Sequence, residues 1–158
     1  MEITALIAQH ITDVHEGNNW TGTDVSSVLQ DVTLVEATTV TAASVNTIAA
    51  LLQHLTYWNR IMVQRIAGIK VTIPDTNGFD VPAPQNETSW EQMKDDNISS
   101  ARELADAIRN FDGAKLQNPI LPGYSTAYKN LQGSVEHIHY HLGQMVILKN
   151  LLRSSSER

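Results

Sequence analysis

The chain contains no cysteine. No disulfide can brace it and no thiolate can hold zinc, so any bound metal must rest on nitrogen and oxygen ligands. Nor can the protein supply a thiol nucleophile of its own. Positive charge is also sparse: 11 Lys and Arg stand against 17 Asp and Glu, for a formal net charge of -6, and the basic residues form no run. Binding a phosphate backbone needs clustered Lys and Arg, so nucleic acid is not expected as a main partner. No apolar stretch approaches the ~18 residues that span a bilayer. Met1-Glu2-Ile3-Thr4 lacks the basic start and apolar run of a signal peptide. These absences lead to the expectation of a soluble, cytoplasmic protein with no membrane partner. Internal repeats are lacking too, and the one biased stretch is Ser154-Ser155-Ser156.

What is present reads as helix. At 158 residues and 42% hydrophobic, the chain is long enough for one domain with a substantial core. Ile3, Leu6, Ile7, Ile11 and Val14 recur at helical spacing, which predicts a first helix over 1–16 that Gly17-Asn18-Asn19 ends. The stretch from Trp20 to Thr41 is rich in Thr and Val, yet Asp24 before Val25, Val28 and Leu29 reads as a capped turn. A connector with one or two helical turns is expected there. Val45, Ile48, Leu52, Leu55, Met62 and Ile66 predict a second long helix from Ala42 to Ala67, with Gly68 at its end. A loop from Lys70 to Glu87 follows, with three prolines, and a loop of that length inside a compact domain is often functional or disordered. Thr88 with Glu91 resembles a capping box opening a third helix that stops near Asp112-Gly113. Ser125 is placed to cap a last helix reaching Leu152, with Leu131, Val135, Ile138, Leu142 and Met145 as its buried stripe. The expected architecture is all-α: a single four-helix bundle over 1–153, with a long loop between its second and third helices and a flexible tail over 154–158.

The residues that carry chemistry lie in Glu136-His137-Ile138-His139-Tyr140-His141-Leu142-Gly143-Gln144. His137 and His141 are one helical turn apart, so their Cβ atoms lie roughly 5–6 Å from each other on one face. That spacing lets two neutral imidazoles share a divalent metal. Bundles build such sites from facing helices, and His54, at the border of the apolar stripe on the second long helix, is the candidate third ligand. Taken alone, the pair His137 and His141 reads more simply as two half-buried histidines. His139 points elsewhere and is read as a surface or subunit-face residue. His10 and His15 are read as facing solvent. Gln144 shares the face of His137 and His141 and either orients a ligand or fills space. Trp58 and Tyr140 either line a pocket or belong to the core. Glu136 points about 100° away from its histidine neighbour, and no general base is assigned. Gly133 and Gly143 each cost a helix about 1 kcal/mol against Ala; close helix approach or a subunit contact would account for them.

Two stretches carry a resemblance to a known family. One runs from Ser44 to Asn59 and holds His54-Leu55-Thr56-Tyr57-Trp58-Asn59. The other runs from Leu131 to Gln144 and holds Gly133, His137, His141 and Gly143-Gln144. Together they resemble the DinB-like (YfiT-like) metal-dependent hydrolase superfamily, and Trp20-Thr21-Gly22 and Ala67-Gly68 are similar to its phrasing. The resemblance implies a bundle of up-up-down-down topology, with one divalent metal held at one end by His54, His137 and His141. It also implies one of two chemistries, hydrolysis or thiol-S-transfer, on a small-molecule substrate, and it makes a homodimer plausible.

Three imidazoles leave the charge of a divalent ion intact and a coordination position open, as in catalytic sites. Imidazole suits zinc, nickel, iron and copper alike, so the ligands do not name the metal; zinc or nickel is the expectation. A thiol reaction would need a low-molecular-weight thiol as cosubstrate, because the chain has none. Three readings therefore stand: a metal-dependent enzyme, a metal-binding bundle closed by a fourth ligand, and a homodimeric interaction bundle without metal.

Overall fold

A computed structural model of the chain describes residues 2–156. It is all-helical; among the described residues there are no strands, only two isolated bridges, Thr41 with Ser44 and Pro119 with Thr126. Four helices are long: α1 (Ile3–Glu16), α4 (Ile48–Ile66), α5 (Glu87–Arg109) and α6 (Ala127–Ser156). Two short ones, α2 (Val25–Leu29) and α3 (Leu34–Thr38), occupy the expected connector. The long helices pack α1 on α5, α5 on α4, α4 on α6 and α6 on α1, which closes a ring around one core. No helix among the described residues is long and apolar enough to cross a membrane.

Each helix presents the stripe its period dictates. On α1, Ile7, Ala8, Ile11 and Val14 are buried, and on α6 Leu131, Val135, Ile138, Leu142 and Met145 are. Ile3 and Leu6 on α1 are instead exposed. Gly17 ends α1 at φ +110, a conformation few side-chain-bearing residues adopt. The connector is tied down from both sides. Trp90, fully buried on α5, donates its indole N–H to the Val32 carbonyl at 2.8 Å. On α6, Arg153 donates to the Asp31 and Glu36 carboxylates, and Lys149 pairs with Asp31.

Helix starts differ from the sequence reading because hydrogen bonds rather than periodicity choose them. The second long helix begins at Ile48 and not at Ala42. The Thr47 hydroxyl accepts from the Ala50 N–H, while Val45, expected in the stripe, stands 88% exposed. The capping box of α5 is formed by Asn86 and Ser89, not Thr88 and Glu91. At the start of α6 the Thr126 hydroxyl, not Ser125, accepts from the Lys129 N–H. α5 ends at Arg109, and Asp112 opens a 3-10 turn instead of closing the helix. At the other end α6 continues through Ser156, past Leu152 and into the expected tail; residues 157–158 of that tail lie outside the described residues. Residues 67–86, between α4 and α5, hold no helix. From this segment Asn77 and Phe79 reach His54 on α4.

Candidate metal centre

α4 and α6 bring His54, His137 and His141 together. Leu51, Leu52 and Leu55 are buried beside His54, and Ile138 and Leu142 are buried beside the pair on α6. Burying those leucines and Ile138 turns the bordering imidazoles toward the seam between the helices. One ligand-capable atom from each lies within 4.8 Å of the others. The His137 Nε2 is 3.1 Å from His54 Nε2 and 3.0 Å from His141 Nε2. Two nitrogens bound to one ion at about 2.1 Å lie roughly 3.0–3.4 Å apart, so this spacing fits shared coordination.

The outer hydrogen bonds decide which nitrogen faces inward. His54 donates its Nδ1–H to the Asn77 carbonyl at 2.7 Å, and His141 donates its Nδ1–H to the Gln144 amide oxygen at 2.6 Å. A neutral imidazole carries one N–H, so both Nε2 atoms are left with lone pairs. They converge on His137, whose single Nε2 can donate to only one of them. At least one close pair of lone pairs is therefore unsatisfied unless a cation sits among them. Such outer partners also fix ring orientation and raise ligand basicity.

Electrostatics keep the rings in the ligand state. Burial pushes His54 down to about 4 against the opposing Asn77 hydrogen bond, and His141 pushes the same way. Burial, then His141 and His54, push His137 down to about 3. His141 is lowered by burial, which the Gln144 bond opposes. All three are neutral near pH 7, as metal binding requires. No carboxylate or further histidine joins the cluster among the described residues.

The segment between α4 and α5 builds the roof. Phe79 stacks flat on His54, with centroids 4.2 Å apart and an interplanar angle of 10°. Asn77 uses its carbonyl on His54 and its side-chain oxygen on the Trp58 indole N–H, at 3.2 Å. Gly78, at φ +80, lies so near Tyr57 that a Cβ would stand 2.5 Å from the ring. Periodicity could not reveal Asn77 or Phe79, because both lie outside any helix; the Asn77-Gly78 pair was the one local signal, as a turn.

The remaining candidates divide. Trp58 lines a cavity of about 330 Å³ that opens from His54 and His137. Tyr140 is 64% exposed and meets His141 edge-on without lining that cavity. His139 meets His10 across α1 and α6, with their Nε2 atoms 3.4 Å apart, away from the cluster of three. His15 does not face solvent: it is fully buried, with Nδ1 donating to the Ile11 carbonyl at 2.9 Å. Neither helical glycine marks a close approach within the chain, since a Cβ at Gly133 or Gly143 would meet nothing within 4 Å.

Comparison with known families agrees with this geometry. The family model described as the DinB superfamily matches residues 19–145, a span that contains all three histidines. The chain belongs to the DinB superfamily. No curated protein and no solved structure gives a significant match to it.

Proposed function

We propose that this DinB-superfamily chain is a metal-dependent enzyme of up-up-down-down bundle topology, acting on a small molecule in the cytoplasm. His54, His137 and His141 would hold one divalent ion, zinc or nickel. The observation that carries the reading is the convergence of three imidazoles, two of them tethered from outside by Asn77 and Gln144, with no carboxylate or further histidine joining them among the described residues, beside a cavity of about 330 Å³. The ion would lower the pKa of a bound thiol or water and polarise a bound carbonyl. The protein's part is to orient the rings through Asn77 and Gln144, to cover His54 with Phe79, and to wall the reacting side with Trp58.

Of the two chemistries, thiol-S-transfer suits the lining better than hydrolysis. No Asp or Glu lines the cavity among the described residues, so there is no carboxylate to take a proton from attacking water. A thiol ionises near pH 8.5 even when free and needs no such base once its pKa is lowered. The thiol would come from a low-molecular-weight cosubstrate. A non-catalytic, closed metal site would need a fourth ligand, and no further histidine or carboxylate stands at the cluster among the described residues. Exposed Tyr140 and Ile147 on α6, with Ile3 and Leu6 on α1, support a homodimer; sedimentation would show it, and a monomer at all concentrations would remove it.

Elemental analysis of untagged protein tests the centre. Near one equivalent of metal is expected, falling to background in His137→Ala with the helical circular dichroism unchanged. Protein that takes up neither zinc nor nickel would overturn the enzyme reading.

A further inference from the structure

The cavity beside the histidines has a second end, and its chemistry is cationic. On α4, His54, Trp58, Met62 and Arg65 follow one another at intervals of four, four and three residues and line one wall. On α6, His137, Gly133 and Lys129 line the other, in the opposite chain direction. His54 and His137 therefore close one end and Arg65 and Lys129 the other, with roughly 16 Å of α4 axis between His54 and Arg65.

Arg65 is held ready but unpaired. Its guanidinium lies 5.2 Å from the Trp58 ring centroid and 5.1 Å from that of Tyr124, so two aromatic faces fix it. Among the described residues its one hydrogen-bond contact is a weak one, to the Met62 sulfur at 3.9 Å, and its Nε is buried without a partner. Every other arginine among the described residues pairs with a carboxylate: Arg60 with Asp96, Arg102 with Glu16, Arg109 with Asp106, and Arg153 with Asp31. Lys129 forms no ion pair among the described residues either. In a chain with 17 acidic residues against 11 basic, this cavity is lined by two cations and no acid. A buried, unsatisfied guanidinium N–H is costly unless a ligand completes it, and the planar fork of Arg matches an oxyanion in two-point fashion.

We infer that the cavity takes a small molecule bearing an oxyanion, carboxylate or phosphate ester, which Arg65 binds with help from Lys129. The apolar body of that molecule would lie along Trp58 and Met62, with its other end presented to the three histidines. Gly133 lines the passage, and a Cβ there would meet nothing within 4 Å, so a larger side chain at this position would project into open space beside the cavity. The inference rests on the proposed enzyme reading for what happens at the histidine end, but not for the binding of the anion.

Benzoate, phenyl phosphate and the neutral benzamide are the probes, titrated into the full-length chain with and without bound zinc. The readout is the Arg65 Nε–Hε NMR resonance, assigned by its loss in Arg65→Lys, with calorimetry alongside. At least one of the two anions should shift that resonance and benzamide should not; the stronger of the two assigns the oxyanion. Arg65→Gln and Gly133→Leu should each weaken the anion at least tenfold, and Lys129→Gln less. Equal binding of benzamide, an unmoved Arg65 resonance, or full affinity in Arg65→Gln would overturn the inference. Should Arg65→Gln fail to fold, the resonance in the unaltered chain and the Gly133→Leu variant decide it. The two readings fail separately: anion binding without metal uptake sinks the metal centre alone, and metal uptake without an anion response sinks this inference alone.

Discussion

At the scale of single residues, the side chains of this site differ in what each contributes. His137 stands between the other two imidazoles, 3.0 and 3.1 Å away, so its loss removes the shared member of both close pairs. His139, two residues on, pairs with His10 instead. His139→Ala is therefore expected to keep the metal that His137→Ala loses, and equal loss in both would mean that a different site binds it. Gln144 holds His141 through Nδ1. Gln144→Leu should weaken zinc affinity about 10–100-fold, the usual effect of removing such a partner, and competition with a chelating dye would measure it. His15 makes a prediction about acid. Burial holds its pKa at about 4 in the fold, against 6.5 outside it, and the Ile11 hydrogen bond and nearby Glu16 and Asp24 offset only part of this. The unfolded chain therefore binds the proton first. Stability is fully present above pH ~7, falls as pH drops below 6.5, and has lost roughly 3 kcal/mol from this group by pH 4. In His15→Leu that part of the slope should vanish, since the Ile11 carbonyl keeps its helical partner. An unchanged slope in denaturant melts would show that His15 is not the cause.

At the scale of elements, buried polar pairs set how α4 sits on α5. Asn59 donates to the Ser100 hydroxyl, which donates on to the Asn97 carbonyl, and the Asn97 side chain donates to the Thr56 hydroxyl, each at 2.7–3.0 Å. Asn59→Ala leaves a buried hydroxyl short of a donor and should cost about 1–3 kcal/mol, visible as a lower melting temperature with helix content intact. The segment over the histidines has its own constraint at Gly78, where both a positive φ and the Tyr57 ring exclude a side chain. Gly78→Ala should displace Asn77 from His54 and weaken the metal site while the helices stay folded. Unaltered metal affinity would mean that the roof does not orient the ligand.

At the scale of the whole molecule, the metal would join α4 to α6 through His54 and His137, which lie 83 positions apart in sequence. A ligand bound only by the folded state stabilises it by about 2.7 kcal/mol at a hundredfold excess over its Kd. In a chain of this size, each kcal/mol moves the melting temperature by about 2–4 °C. Stripping the metal with a chelator should lower the melting temperature by several degrees, reversibly on adding zinc, and no shift would argue against a site formed between the two helices. The ring of packed long helices explains why the effect is global: α4 and α6 each touch a different neighbour, so a tie between them reaches the whole core.

The sequence by itself determined where the four long helices run, because their apolar stripes recur at helical spacing, and which face of each is buried. It also singled out His54, His137 and His141, through the one-turn spacing of the pair and the family phrasing around them. Helix starts such as Thr47 and Asn86 escaped it, since several adjacent Ser, Thr and Asn residues can each cap and only the folded backbone selects one. Tertiary structure alone decided the rest. Asn77 and Phe79 reach His54 from a segment without periodicity, and His15 is buried at a position that local pattern assigns to solvent. Arg65, an ordinary cation at the end of a helix in sequence, becomes an unpaired guanidinium between two aromatic rings only once Tyr124 arrives beside it. Local spacing is encoded in neighbouring residues, whereas the partners of a polar side chain depend on which distant segments the fold brings within about 3 Å.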